Sequence, residues 1–219
     1  MSARELILER IRAGLADVGA GEPHDWVYER DADEATRYAR ADTMAPDAVI
    51  ATFAERCGEY RATVTRAHPD ELAREIEAAC ARHGASSLAV PADLPAAWRP
   101  SGIELRSDEP PLTYDELDRT SGALTGCAVA IALTGTIVLD AGQAQGRRAL
   151  TLLPDLHVCV IHSSQIVATV PEAIDRLVTA IRAGRPLTFI AGPSATSDIE
   201  LKRVEGVHGP RRLEVLVAR

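Results

Sequence analysis

The chain has 219 residues, 46% of them apolar, and a formal net charge of −8. Length and apolar share suffice to bury a core without a disulfide or a metal. The acidic balance argues against nucleic-acid or membrane-surface partners, which need a basic footprint.

Cys57, Cys80, Cys127 and Cys159 lie apart with no C-x-x-C among them. They offer no zinc or iron–sulfur ligand set and read as buried thiols of a reducing compartment. No metal site is expected. The opening Ser2-Ala3-Arg4-Glu5 is charged and helical rather than a signal peptide. The longest apolar run, 127–139, is too short to span a bilayer, so the expected location is the cytoplasm.

In chain order, Ser2 and Glu5 have capping-box spacing, and Leu6, Ile7, Ile11 and Leu15 follow at helical intervals. That helix should end near Gly19, and its apolar stripe could pack on the body or on a partner. Residues 22–48 are polar and poorly periodic. A second helix is expected over 48–60, with Val49, Ile50 and Phe53 on one side. Pro69 with Asp70 and Glu71 opens a third, burying Leu72, Ile76 and Cys80 and ending at Gly84.

Short apolar strands are expected at Ser87–Val90 and 102–105, with the Pro-rich stretch 91–111 as a loop-rich connection. Further strands should cover 127–132, 136–139 and 157–161. Pro171 and Glu172 open a helix bearing Ile174, Leu177, Val178 and Ile181, closed by Gly184. Strands at 187–191 and 213–217 complete the pattern. Helix, glycine and short buried strand, used twice, predict an α/β fold with a helix-covered, mostly parallel sheet.

Four stretches could carry chemistry. In Thr134-Gly135-Thr136 a polar turn interrupts an apolar run; it fits a tight hairpin whose threonines satisfy their own backbone, or a nest for an oxyanion. Gly142-Gln143-Ala144-Gln145-Gly146-Arg147-Arg148 fits a solvated turn or an anion clamp, and matches neither phosphate-loop pattern. Gly192-Pro193-Ser194-Ala195-Thr196-Ser197-Asp198-Ile199-Glu200 follows a strand and opens onto a helix-capping pattern. It suits either a plain cap or a polar ligand at a helix N-terminus. Gly206-Val207-His208-Gly209-Pro210 frames one imidazole, as a structural turn or as a donor or base. Neither G-x-S-x-G nor H-E-x-x-H occurs.

The order and spacing of these stretches, together with Arg147, Leu153-Pro154 and His157 between them, resemble the LUD domain, in its lactate-utilisation protein C branch. The resemblance runs from about Tyr60 to the C-terminus. It implies a helical extension over 1–59 and an α/β domain over 60–219, of the sugar-phosphate isomerase/CoA-transferase-like type. It also implies a role in oxidising L-lactate to pyruvate beside iron–sulfur partner subunits, the clusters sitting on those partners and no cofactor on this chain. The loops of the family map onto Thr134, Gly135, Thr136, Arg147, Gly192, Ser194, Thr196, Asp198, Glu200 and His208.

Two functional readings stand beside a bland one in which these loops only shape the fold. The first is a non-redox subunit of a lactate-oxidising system. The second is a stand-alone enzyme or sensor for a small anionic metabolite such as a carboxylate, sugar phosphate or CoA ester. There, residues 134–136 with Ser194 and Thr196 would hold the anion and Arg147 would neutralise it. Asp198, Glu200 or His208 would move a proton, the loops meeting at the carboxyl edge of the sheet.

Overall fold

The computed structural model describes residues 3–15, 41–193 and 209–219. The chain divides into two compact units, Met1–Tyr38 and Ala39–Arg219. In the first, helix α1 spans Ala3–Leu15, where the capping pattern places it.

The second unit opens with α2 (Pro46–Glu59), which buries Ile50, Phe53 and Cys57. Strand β1 (Thr63–Ala67) follows. A 3-10 turn at Pro69–Glu71 leads into α3 (Leu72–Arg82), its entry held by the His68 ring accepting from the Asp70 amide. Leu72, Ile76 and Cys80 are buried as their spacing requires. Then come β2 (Ser87–Val90), β3 (Glu104–Ser107), the short helix α4 (Tyr114–Asp118) and β4 (Gly122–Thr125). The hairpin β5 (Val129–Ile131) and β6 (Thr136–Leu139) precedes β7 (Leu156–His162) and β8 (Ile166–Val167). Helix α5 (Val170–Arg182), β9 (Thr188–Ile190) and β10 (Arg212–Ala218) close the chain.

The main sheet has six strands in the order β1-β10-β7-β4-β2-β3, every described pair parallel. A second sheet, β8-β5-β6-β9, is mixed, with β5 parallel to β8 and β6 antiparallel to both of its neighbours. The helix-covered, mostly parallel α/β sheet expected from the sequence is therefore present.

One face of the main sheet packs Leu88, Val90, Leu124, Val158, Val160 and Leu216 against α3 and Trp98. On the other face, Cys159, Ile161, Val215 and Val217 meet Phe53 of α2 and Ile137 and Leu139 of the second sheet. The outer face of the second sheet packs Val129, Ile131 and Val138 on Ala173 and Leu177 of α5.

Several elements differ from the sequence expectation. Strands β1, β4 and β8 and helix α4 were not foreseen. β1 reads Thr-Val-Thr-Arg-Ala and is only partly buried, so it lacks the apolar run of a central strand. β8 is two residues long. β3 begins two residues later than expected. Helix α5 buries Ala173, Leu177 and Ala180, while Ile174 and Ile181 are exposed. A helix lying close on a sheet favours small side chains at the contact, which turns the larger isoleucines outward. Its N-terminus is a capping box: Thr169 Oγ1 accepts from the Glu172 amide at 3.4 Å, and Glu172 accepts from the Thr169 amide at 2.7 Å.

Gly135 has φ +60°, and a Cβ there would lie 2.8 Å from the Arg56 carbonyl carbon and 2.9 Å from the Cys57 nitrogen. Gly184 has a similar φ of +67° but open space around it. Gly184→Ala should therefore cost only the left-handed backbone penalty, about 1 kcal/mol. Gly135→Ala adds a clash with helix backbone and should cost roughly 3 kcal/mol or more. Urea denaturation of the two variants measures this; equal midpoints would show that α2 gives way freely.

Candidate functional site

All main-sheet strands point the same way, so the sheet has an amino edge and a carboxyl edge, and the sequence motifs divide between them. The 134–136 turn and Gly192 both sit at the amino edge, against the C-terminal end of α2. Gly135 lies on Arg56 and Cys57, and its carbonyl accepts from the Cys57 thiol at 3.4 Å. A Cβ on Gly192 (φ +85°) would come within 2.7 Å of Tyr60 Cβ. The register Ile137↔Ile190 brings these two loops side by side. Thr134 Oγ1 donates to Thr136 Oγ1 at 2.8 Å, and Thr136 in turn reaches the Thr134 carbonyl at 3.5 Å. The two hydroxyls thus serve each other and the turn.

Arg147 lies at the opposite, carboxyl edge. Its guanidinium forks onto Asp108, Nε to Oδ2 at 2.7 Å and Nη2 to Oδ1 at 3.0 Å, and also donates to the Leu112 carbonyl. This bidentate pair holds its pKa above the ordinary value and pins the loop after β3. The described motif residues therefore do not converge on the carboxyl edge. Ser194, Thr196, Asp198, Glu200 and His208 lie outside the described residues. The flanks of that segment are close together, a Cβ on Gly209 falling 3.8 Å from the Pro193 carbonyl oxygen.

His157, at the start of β7, is buried, with Nε2 2.8 Å from the Thr125 hydroxyl. Burial, with the nearby positive charge of Arg148, pushes its pKa down to about 4. It is a neutral structural imidazole between two parallel strands. All four cysteines are buried and free. Burial and the neighbouring Cys159 push Cys57 up to about 12, and a hydrogen bond to Cys159 with burial raises Cys127 well above its ordinary value. All four are shielded from solvent, so none is an accessible nucleophile. Among the described residues no group of three or more His, Cys, Asp or Glu is placed to hold a metal ion. No described helix is long and apolar enough to cross a membrane.

The chemically richest place in the described structure is a cavity of about 410 Å³ at the carboxyl edge. The connection from β2 runs to β3 on one side, and that from β4 to β7 on the other, so the strand order reverses between β2 and β4. Their carboxyl ends lead into Pro95, Trp98, Gly126 and Cys127, which line the cavity. Open α/β sheets bind ligands at such a reversal, because the diverging connections leave a crevice.

Polar groups come from the second sheet and α5. Asp140, beyond the end of β6, pairs with Arg185 at 2.8 Å and accepts from the Gly142 amide at 3.0 Å and Gln145 Nε2 at 2.8 Å. Gln145 returns its oxygen to the Asp140 amide at 2.7 Å. Gln165 donates to the Cys127 carbonyl and accepts from the His162 amide, both at 2.7 Å. Arg176 reaches in from α5, anchored on the Ser164 carbonyl at 2.6 Å. The Trp98 and His162 rings are neighbours, tilted to one another with centroids 6.0 Å apart.

The 141–146 loop is held in an unusual backbone: Ala141 and Ala144 have φ of 51° and 56°, and Gly146 has 69°. Asp93 binds the Ala144 amide at 2.8 Å, and the Ala144 carbonyl accepts from Gly126 at 2.7 Å. Left-handed non-glycine residues persist only where their surroundings enforce them.

Sequence reasoning missed this site. Asp140, Trp98, His162, Arg176 and Arg185 stand alone in the chain and form no motif. The 142–148 stretch stands out in the sequence for its arginines, yet Gly142, Gln143, Ala144 and Gln145 line the cavity and Arg147 and Arg148 do not.

Because His157 titrates near 4 in the fold and near 6.5 when unfolded, the unfolded chain binds more protons between those values. Stability should therefore fall as pH drops from about 6.5 to about 4, by up to roughly 3 kcal/mol from this group. His157→Gln should flatten that part of the curve. Denaturant unfolding of both proteins across this range is the test, and parallel curves would refute the assignment.

The family model described as the LUD domain matches residues 50–218. A protein named Lactate utilization protein C from Deinococcus radiodurans is 52% identical over 169 residues, 77% of this chain and 79% of its own length. Proteins of the same name from Exiguobacterium sp. and Geobacillus kaustophilus are 32% and 26% identical, covering 62% and 78% of this chain and the same shares of their own. A crystal structure of a DUF162 family protein from Deinococcus radiodurans superimposes with a TM-score of 0.72 at 43% identity, over 80% of this chain and 99% of that one. With the fold, most of the chain's length and half of its aligned residues in agreement, this protein belongs to the LUD domain family.

Proposed function

We propose that this protein is a non-redox subunit of a cytoplasmic system that oxidises L-lactate to pyruvate, working with iron–sulfur partner proteins. The observation that carries the reading is the 52% identity to a protein named for lactate utilisation. Taking lactate to pyruvate removes two electrons and two protons, one hydrogen from the hydroxyl-bearing carbon and one from the hydroxyl itself. Electrons need a carrier, and the four cysteines of this chain have no cluster-binding spacing. The carriers are accordingly assigned to the partners, and this chain to substrate handling or assembly.

A second reading, a protein that binds a small anionic metabolite, is favoured by the carboxyl-edge cavity, where Arg176 and Arg185 outnumber the single carboxylate of Asp140. The two readings are compatible within one subunit. Among the sequence candidates, Ser194, Thr196, Asp198, Glu200 and His208 remain proposed contributors to binding or proton transfer. Gly135 and Gly192 also permit close packing on α2.

The test is genetic and biochemical. Removing this chain from its source organism should abolish growth on L-lactate while sparing growth on pyruvate. The tagged protein should retain iron-containing partners whose lactate-dependent dye reduction requires it. Unimpaired growth on lactate would sink the proposal, as would full dye reduction by the partners alone.

A further inference from the structure

The carboxyl-edge cavity is oversized for lactate. A water takes about 30 Å³ in the liquid, so a three-carbon acid would leave most of about 410 Å³ unfilled. The volume falls among sites that enclose ligands of cofactor size, about 300–1,000 Å³.

Its walls are unlike one another. The guanidiniums of Arg176 and Arg185 line the cavity, set by the Ser164 carbonyl and by Asp140. Arg176 spends Nη1 on that carbonyl at 2.6 Å. Planar guanidiniums fixed in this way match the oxygens of a phosphoryl group. Flat surface lines it too, in the exposed His162 ring, tilted 43° to Trp98, and in Pro95. Gln143 also lines the cavity, and its amide has no hydrogen-bond partner among the described residues. An amide offers both a donor and acceptors, as the edge of a heteroaromatic ring requires. Asp140 already accepts from Arg185, the Gly142 amide and Gln145, so its charge is spent within the site rather than facing an anion across open space.

We propose that this cavity binds a nucleotide, with the phosphate on Arg176 and Arg185 and the base against His162 and Gln143. The inference rests on the cavity and not on the lactate role, so each can fail without the other. The left-handed 141–146 loop then has a purpose: it holds Gln143 at the mouth before the ligand arrives, with Gln145 buried on Asp140 as its brace, so little ordering remains to be paid on binding.

Isothermal titration of the full chain with AMP, GMP, CMP and UMP, the matching nucleosides, inorganic phosphate, lactate and pyruvate tests the proposal. At least one monophosphate should bind one per chain, at least tenfold tighter than its nucleoside and than phosphate. Arg176→Gln and His162→Ala should each weaken it at least tenfold. Arg74→Gln, on the exposed side of α3, should leave it unchanged. The proposal is overturned if no monophosphate binds, if phosphate or nucleoside alone binds as tightly, if lactate or pyruvate competes for the site, or if both variants keep full affinity. Because the titration uses no partner protein and no turnover, a negative result leaves the lactate-oxidation test standing.

Discussion

The insertion of β10 between β1 and β7 is the constraint on which this fold depends. Its seven residues pair in parallel with all of β7 on one side, and five of them with β1 on the other. The strand is apolar on both faces, with Leu213, Val215 and Val217 toward α2 and Leu216 and Ala218 toward α3. A slip of one residue would exchange these faces and drive Glu214 into the α2 side. In register, Glu214 is buried but met by Arg82 at 2.7 Å and His83 at 2.7 Å. A buried carboxylate is tolerable only with such partners, and this one ties the end of α3 to the centre of the sheet. The last strand in the chain thus joins the first strand of the sheet to its middle.

A second consequence follows from the departure of β5 and β6. After β4 the chain does not continue into the main sheet but turns at Gly126, packed so closely on Trp98 that a Cβ would stand 3.3 Å from the ring. The hairpin then builds its own small sheet against one face of the main one. Where the two sheets part, at the carboxyl edge, the gap is lined from both sides. Trp98 and Gly126 come from the first, Asp140 and the 141–146 loop from the second, and Arg176 and Arg185 from the helix and loop that follow. The strained Ala144 of that loop is held at its amide by Asp93 and at its carbonyl by the Gly126 amide, so its backbone is fixed by neighbours brought from elsewhere in the chain.

The two edges of the sheet put their information in different places. At the amino edge, the glycine turns that stand out in the sequence pack on α2, where no side chain would fit. At the carboxyl edge, the ionic and ring groups stand out only in space. Arg147 illustrates the difference. It looks like an anion clamp beside its glycines, and the fold gives it Asp108, a carboxylate 39 positions earlier in the chain.

The sequence by itself determined the α/β class, the buried strands β2, β6, β7 and β10, and the helices α2, α3 and α5. Local rules suffice for these: caps such as Thr169 with Glu172, stops such as Gly184, and runs buried on both faces. It also carried the family resemblance, because turns like 134–136 depend on residues next to one another. Only the tertiary structure decided that β1 is an edge strand of the main sheet, that α5 buries alanines in place of isoleucines, and that Asp140, His162, Arg176 and Arg185 share one cavity. The reason is physical. Whether a side chain is buried, paired or free depends on what another part of the chain brings to it, and no local pattern encodes that distance.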